Sequence, residues 1–121
     1  MVVVPEFLIK RIYKKGSLKK LENGVSFQLK NVLGPGFISG VNFIQINDVV
    51  YETKDITLVM KDKEFSAQTI TEANPVAFRL GEEGTLVMAG KESLIDGLNK
   101  IIIEVVNPEA GKVQVKVEDV V

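Results

Sequence analysis

The sequence predicts an all-β fold, a single-domain antiparallel β-sandwich that spans residues 1–121. Apolar and polar residues alternate with a period of two along most of the chain. Turn signals recur about every 8 to 12 residues, which predicts about eight or nine short strands. The helix signals, at 68–73 and 91–95, are too short to form helices without tertiary support.

The first half of the chain predicts one half-buried strand and one interior hairpin. Residues 25–30 alternate apolar and polar side chains, as in an antiparallel strand with one solvated face. The Asn-Gly pair at 23–24 is a turn signal. The run 37–46 is apolar on both faces in places, which predicts an interior strand. Asn47-Asp48 then turns the chain into a partner strand at 49–51.

The second half predicts three further hairpins. Strands at 56–60 and 64–67 flank a short polar connection. A strand at 74–80 is followed by a glycine-bearing turn and a strand at 85–89. The strands at 101–105 and 113–117 are the clearest, because one face of each is apolar at every second position. The phenylalanines that the spacing places in the core are Phe27, Phe43 and Phe78.

Composition excludes several classes of function. The chain has no His, Cys or Trp, and these side chains carry much of the nucleophilic, acid/base and soft-metal chemistry near neutral pH. We therefore expect no catalytic residue, no metal and no cofactor. No apolar run is long enough for a membrane helix, and the N-terminal stretch lacks the basic region of a signal peptide. These features predict a soluble cytoplasmic protein that does not act at a membrane.

Charge is distributed unevenly along the chain. Residues 1–30 carry seven basic and two acidic side chains, and residues 31–121 carry eight basic and fourteen acidic ones, so the net charges are +5 and −6. The basic residues between positions 10 and 20 predict a solvated edge strand that discourages pairing with other sheets. A surface for a partner is the alternative. We expect no nucleic-acid binding, because Tyr13 is the one aromatic residue there.

The glycine-rich stretch 34–40 does not have the pattern of a nucleotide-binding loop. Its glycines are spaced G-x-G-x-x-x-G, and a strand rather than a helix follows. A turn or bulge explains these glycines. Gly111-Lys112 is followed by Val, so the last hairpin loop is not a phosphate-binding loop either.

Acidic residues near one predicted turn, Asp48, Glu52 and Asp55, could together meet a hard cation such as Ca²⁺. Their spacing matches no calcium-binding loop. General acid/base work by a carboxylate pair requires a concave site as well. Ordinary surface charge is therefore the preferred interpretation.

Three stretches of the chain, LKNVL at 29–33, IQINDVVY at 44–51 and LIDGLNKI at 94–101, resemble the C-glycoside deglycosidase beta-subunit domain family. The resemblance implies a small β-sandwich subunit that pairs with a TIM-barrel alpha subunit, which carries the metal and most catalytic groups. The family pattern has an aromatic-Arg-Gly stretch and often a His, where this chain has residues 34–40 and Asn99. No catalytic residue is therefore carried over.

We therefore expect an accessory or interaction domain, the non-catalytic small subunit of a carbohydrate-modifying complex. It would form a homo-oligomer, or a hetero-oligomer with a TIM-barrel-type subunit. One alternative is a carbohydrate-binding module in which Tyr13, Tyr51 or Phe37 stacks on a sugar. Another is a freestanding enzyme that uses Asp48 and Glu52. The candidate contact residues, taken mainly from the basic N-terminal strand and the glycine-rich loop, are Lys10, Arg11, Tyr13, Lys14, Gly34, Pro35, Gly36, Phe37 and Tyr51.

Overall fold

The computed structural model describes residues 5–34 and 36–121, so Pro35 lies outside the described residues. Within these ranges the chain forms eleven strands and one short helix. The strands are β1 (Lys19–Leu21), β2 (Gly24–Lys30), β3 (Phe37–Ile38), β4 (Gly40–Ile46), β5 (Val49–Tyr51), β6 (Ile56–Met60), β7 (Lys63–Ser66), β8 (Val76–Ala77), β9 (Glu83–Ala89), β10 (Leu98–Asn107) and β11 (Gly111–Val120). The helix is α1 (Glu6–Ile9), and single 3-10 turns lie at Lys10–Ile12, Thr53–Asp55 and Ala67–Thr69.

The strands form two main antiparallel sheets, which confirms the predicted all-β fold. One sheet has five strands in the order β1-β2-β9-β6-β7, and the other has four in the order β11-β10-β4-β5. Strands β3 and β8 pair in a small ladder of their own. Inward residues of both main sheets belong to one buried hydrophobic cluster. The two sheets therefore face each other across a shared core, as in a sandwich.

Three hairpin turns lie where the sequence predicted them. Asn47 and Asp48 join β4 to β5, and Asn47 adopts a φ of +55°. Lys61 and Asp62 join β6 to β7 with φ values of +47° and +67°, the paired left-handed conformation of a type I′ turn. Residues 108–110 join β10 to β11. Local turn chemistry therefore sets the register of these hairpins.

The N-terminal segment differs from the prediction. The expected basic strand is wrong for Lys10 and Arg11, which lie in the 3-10 turn that follows α1. Pro5 precedes the helix with a φ of −58°, and Glu6 lies in the first turn, where the helix dipole favours an acid. Lys19, in contrast, is exposed on the edge strand β1, as predicted.

One predicted core residue lies on the outer face of the four-stranded sheet. The phenylalanines that are buried are Phe27 and Phe78. Phe43 is only half-buried and pairs with Glu104. The register between β4 and β10 shifts at this point, so that Val41 and Ile44, three residues apart, both face the core. The prediction assumed that every second side chain of the strand faces the core. A bulge inserts an extra residue, so the side chains beyond it face the opposite side.

The segment predicted as a strand at 74–80 forms only the two-residue strand β8. Beyond it, the Phe78 amide donates to the Gly36 carbonyl at 3.0 Å. This bond extends the pairing with β3 by one residue, and Phe78 is buried beside an apolar cleft. No helix in the described part of the chain is long and apolar enough to cross a lipid bilayer.

Candidate functional site

An apolar cleft of about 220 Å³ opens at one end of the sandwich. It arises because β10 and β11 are the longest strands, and their last inward pair is poorly covered by the opposing sheet. Ile103 and its partner Val115 are buried, whereas the next inward pair, Val105 and Val113, is only half-buried. The segments that complete the lining contribute chiefly Ile12, Leu29, Leu33, Phe37, Ile38 and Phe78.

The loops around the mouth of the cleft expose apolar side chains to solvent. We call these residues the apolar rim, and they are Val32, Leu33, Phe37 and Leu80. Phe37 is 50% exposed and Leu80 is 62% exposed. Leu33 and Phe37 also line the cleft, so the apolar surface continues from these two rim residues into the cleft.

Asn31 holds the loop that carries Val32 and Leu33. Its Nδ2 donates to the carbonyls of Gly34 and Phe78, the latter at 2.6 Å. Its Oδ1 accepts from the amides of Leu33 at 3.0 Å and Gly34 at 3.2 Å. The Asn31 side chain is buried, and its backbone also bonds across to the 81–82 turn. One amide side chain thus fixes two of the loops that border the cleft.

Asn107 does the same on the opposite side of the cleft. Its Nδ2 donates to the Phe37 carbonyl at 3.0 Å, and its Oδ1 accepts from the amides of Glu109 and Ala110 at 2.9 Å each. Asn31 lies in the stretch LKNVL and Asn107 begins the connection between the last two predicted strands, but the sequence did not predict that either side chain organises a site. Among the described residues, no buried side-chain nitrogen or oxygen lacks a hydrogen-bond partner.

The structure brings several of the predicted contact residues to this cleft. Gly34, Gly36 and Phe37 lie at its mouth, and Ile12 enters it from the basic N-terminal segment. Gly34 has a φ of +145°, which favours glycine. The glycine-rich loop therefore meets Ile12 of the N-terminal segment at this site, whereas none of the described basic side chains of that segment lines the cleft.

The other predicted contact residues lie in different environments. Lys10 and Arg11 are exposed, and Lys14 Nζ lies 3.3 Å from Glu83 Oε2. Tyr13 and Tyr51 are only 5% exposed, so neither ring has a free face for a sugar. Of the three aromatic residues proposed for carbohydrate binding, Phe37 is the exposed one.

Tyr51 belongs to a buried polar cluster that does not line the cleft. Its Oη donates to the Gly90 carbonyl at 2.9 Å and lies 2.7 Å from Ser93 Oγ. Asn99, which is completely buried, bonds nearby to the Ile95 amide and carbonyl and to Asn47 Nδ2. The cluster therefore fixes the loop before β10 rather than presenting a binding surface.

Tyr13 forms a buried contact that we call the latch, because it joins the N-terminal segment to β11. Tyr13 Oη donates to Asp119 Oδ2 at 2.7 Å, and the amides of Gly16 and Leu18 donate to the same oxygen. Burial, followed by the hydrogen bond to Asp119 and its charge, raises the pKa of Tyr13 well above its ordinary value. Burial alone would raise the pKa of Asp119, but the hydrogen bonds from Tyr13 and from the amides of Val120, Gly16 and Leu18 lower it overall.

The latch predicts a pH dependence of stability at both ends of the scale. Folding lowers the pKa of Asp119. Its ionised carboxylate therefore stabilises the fold at pH values above 3.8, its ordinary pKa, and this stabilisation is lost as the pH falls through the pKa in the folded protein. Folding raises the pKa of Tyr13. Its neutral hydroxyl therefore stabilises the fold at pH values below 10.0, its ordinary pKa, and this stabilisation is lost as the pH rises through the pKa in the folded protein. Replacing Tyr13 with Phe should therefore flatten the alkaline decline by up to about 1.4 kcal/mol per pH unit. Urea unfolding of both proteins between pH 8 and pH 11 measures this, and parallel declines would contradict it.

The acidic residues Asp48, Glu52 and Asp55, which were considered as ligands of a hard cation, are not grouped in the structure. Asp48 and Glu52 are exposed, and Glu52 Oε2 instead lies 3.9 Å from Lys54 Nζ. Over residues 5–34 and 36–121, no group of three or more His, Cys, Asp or Glu side chains is placed to hold a metal ion.

Residues 8–121 match the family described as hydroxymethylglutaryl-CoA reductase, N-terminal domain. No curated protein matches the chain significantly. The family match covers nearly the whole chain and shows that the resemblance to the C-glycoside deglycosidase beta-subunit domain family is wrong. The expectation of a TIM-barrel-type partner depended on that resemblance.

Proposed function

The chain belongs to the hydroxymethylglutaryl-CoA reductase N-terminal domain family, and we propose that it is a non-catalytic docking domain for the catalytic part of a hydroxymethylglutaryl-CoA reductase. The observation that carries this proposal is the apolar rim around the cleft. A contiguous exposed apolar surface with a polar surround is typical of an interaction site. The family match suggests the reductase as the partner, and the apolar rim is the surface that would contact it.

The rim is well suited to docking because its loops are already held in place. Asn31 and Asn107 fix the segments that carry Leu33 and Phe37 through hydrogen bonds to backbone groups. A surface that is ordered before binding loses less conformational entropy when the partner arrives. A larger part of the free energy gained by burying the apolar side chains then contributes to the affinity for the partner.

A second exposed apolar cluster lies at the other end of the sandwich, and its members are Ile95, Leu98, Val120 and Val121. We favour the rim because the cleft opens beneath it, which gives the partner a concave surface to fill. The second cluster provides a matched control. Leu98 is 53% exposed, close to the value for Phe37. It lies about 30 Å along β10 from Asn107, whose side chain contacts the Phe37 carbonyl.

The test is a titration of the full chain with the catalytic polypeptide of hydroxymethylglutaryl-CoA reductase from the same source, followed by calorimetry. We expect a complex, and we expect Phe37→Asp and Leu80→Asp each to weaken its Kd at least tenfold. A carboxylate placed in an apolar interface must lose its hydration without gaining a partner. Leu98→Asp should leave the Kd unchanged within twofold.

Three results would contradict the proposal. The first is the absence of a complex with the unmodified chain. The second is a Kd that responds to Leu98→Asp but not to Phe37→Asp. The third, seen by light scattering, is a homo-oligomer that Phe37→Asp dissociates, because the rim would then join copies of this chain. Circular dichroism and thermal melts establish that each variant is folded.

The cytoplasmic location predicted from the sequence belongs to the same proposal, as the compartment in which the domain would meet its partner. Fractionation of the source cells, with detection of the chain by antibody, tests it.

A further inference from the structure

We infer that the cleft receives one uncharged apolar side chain of the docked partner, an inference that rests on the docking role proposed above. Leu33 and Phe37 belong both to the exposed rim and to the lining of the cleft. A partner that covers the rim therefore also covers the mouth of the cleft. The cleft must then either stay empty beneath the interface or be filled by a group from the partner.

The size of the cleft fits a large apolar side chain. Its volume is about 220 Å³, and an apolar protein cavity of about 150 Å³ is large enough to bind benzene. A phenyl or branched aliphatic group would complete the packing of Val105 and Val113, the inward pair that the opposing sheet leaves half-buried. Filling such a space also restores dispersion contacts that its walls lack.

The lining selects against a charged group. The polar side chains Asn31 and Asn107 already use both their amide nitrogen and their oxygen on backbone partners. Of the lining residues that the structure describes, Glu109 is the charged one, and it is exposed to water at the hairpin tip. A carboxylate entering the cleft would meet this charge. An ammonium group would have to give up water without gaining a buried counterion.

The first arm of the test uses small probes on the isolated full chain. Toluene represents the side chain of Phe, and benzoate and benzylammonium are its anionic and cationic counterparts. In methyl-resolved NMR spectra, toluene should produce saturable shifts at Ile103, Val105, Val113 and Val115. The two charged probes should produce no such shifts at the same concentration. Absence of toluene shifts at these methyl groups would overturn the inference.

The second arm uses a variant that fills the cleft. Val113→Trp places an indole in the space, and Lys112→Trp places one on the exposed outer face of the same strand. Because the chain contains no Trp, the fluorescence of each variant reports a single indole. Val113→Trp should emit at shorter wavelength and lose the toluene shifts. Lys112→Trp should emit as a solvated indole and keep them.

The two variants also separate this inference from the docking proposal. We expect Val113→Trp to weaken binding of the reductase at least tenfold and Lys112→Trp to change it less than twofold. If the reductase binds the unmodified chain and Val113→Trp equally well, the inference is wrong and the docking role stands. If the reductase binds none of the proteins while toluene still enters the cleft, the docking role is wrong.

Discussion

Replacing Asn31 with Ala is expected to lower the free energy of unfolding by about 3 kcal/mol. The substitution removes four hydrogen bonds to backbone groups of the loops around the cleft. Among these, the Phe78 carbonyl loses its bond to a buried donor. Each buried polar group left without a partner costs about 1 to 3 kcal/mol, and solvent reaching the mouth of the cleft limits the total.

Urea denaturation of the variant and of the unmodified chain measures this effect. Asn42→Ala is the matched control, because the Asn42 side chain is exposed and donates only to Glu104 among the described residues. We expect the control to change the free energy of unfolding by less than about 0.5 kcal/mol. Equal losses in the two variants would show that Asn31 does not organise the loops. Docking on the reductase should also weaken in Asn31→Ala, since the rim would no longer be held in place.

Asn99→Ala is expected to have an effect of similar size, about 3 kcal/mol, at the opposite end of the sandwich. Asn99 is completely buried. Its Nδ2 donates to the carbonyls of Ile95 and Gly97 at 3.1 Å each, and its Oδ1 accepts from the Ile95 amide at 2.9 Å. Asn47 Nδ2 donates to the same oxygen at 2.9 Å. Without this side chain, the backbone amide of Ile95 loses its acceptor, and the carbonyls of Ile95 and Gly97 lose their donor.

Chemical denaturation again gives the free energy, and hydrogen exchange at the Ile95 amide locates the damage. Lys100→Ala provides the comparison, because Lys100 is the next residue of β10 and its side chain is exposed. Its substitution should change stability little. A loss below about 1 kcal/mol for Asn99→Ala, or protection of the Ile95 amide that does not change, would contradict the structural role.

The strands were predictable where a single physical pattern controls them. The alternation of apolar and polar residues predicted β10 and β11, because one face of each strand is buried and the other is solvated. Residue types predicted the hairpins, since Asn47 and Asp62 tolerate the left-handed conformation and the connection around Lys61 is polar. Phe43 was misplaced because a bulge depends on the register between two strands, which a single strand's sequence does not contain.

The candidate site was predictable only in part. The glycine-rich loop was identified as a contact surface, but the cleft that it borders depends on how far β10 and β11 extend past the opposing sheet. The roles of Asn31 and Asn107 were missed because a loop asparagine looks the same in sequence whether its side chain is solvated or makes several buried bonds. The family assignment failed for a related reason, since short strand and turn fragments occur in many β-sandwiches.

The latch has a consequence for how the protein is made. Its two side chains, Tyr13 and Asp119, are separated by 106 positions in the chain, so the contact closes almost the entire sequence into one loop. The segment around Tyr13 can pair early with β2, through the Tyr13–Leu29 bridge, but a ribosome must synthesise nearly all of this domain before the Tyr13 hydroxyl has its acceptor. During that time the N-terminal segment lacks its anchor on β11. Completion of β11, which also completes the four-stranded sheet, is the step that ties the N-terminal segment to the far end of the chain.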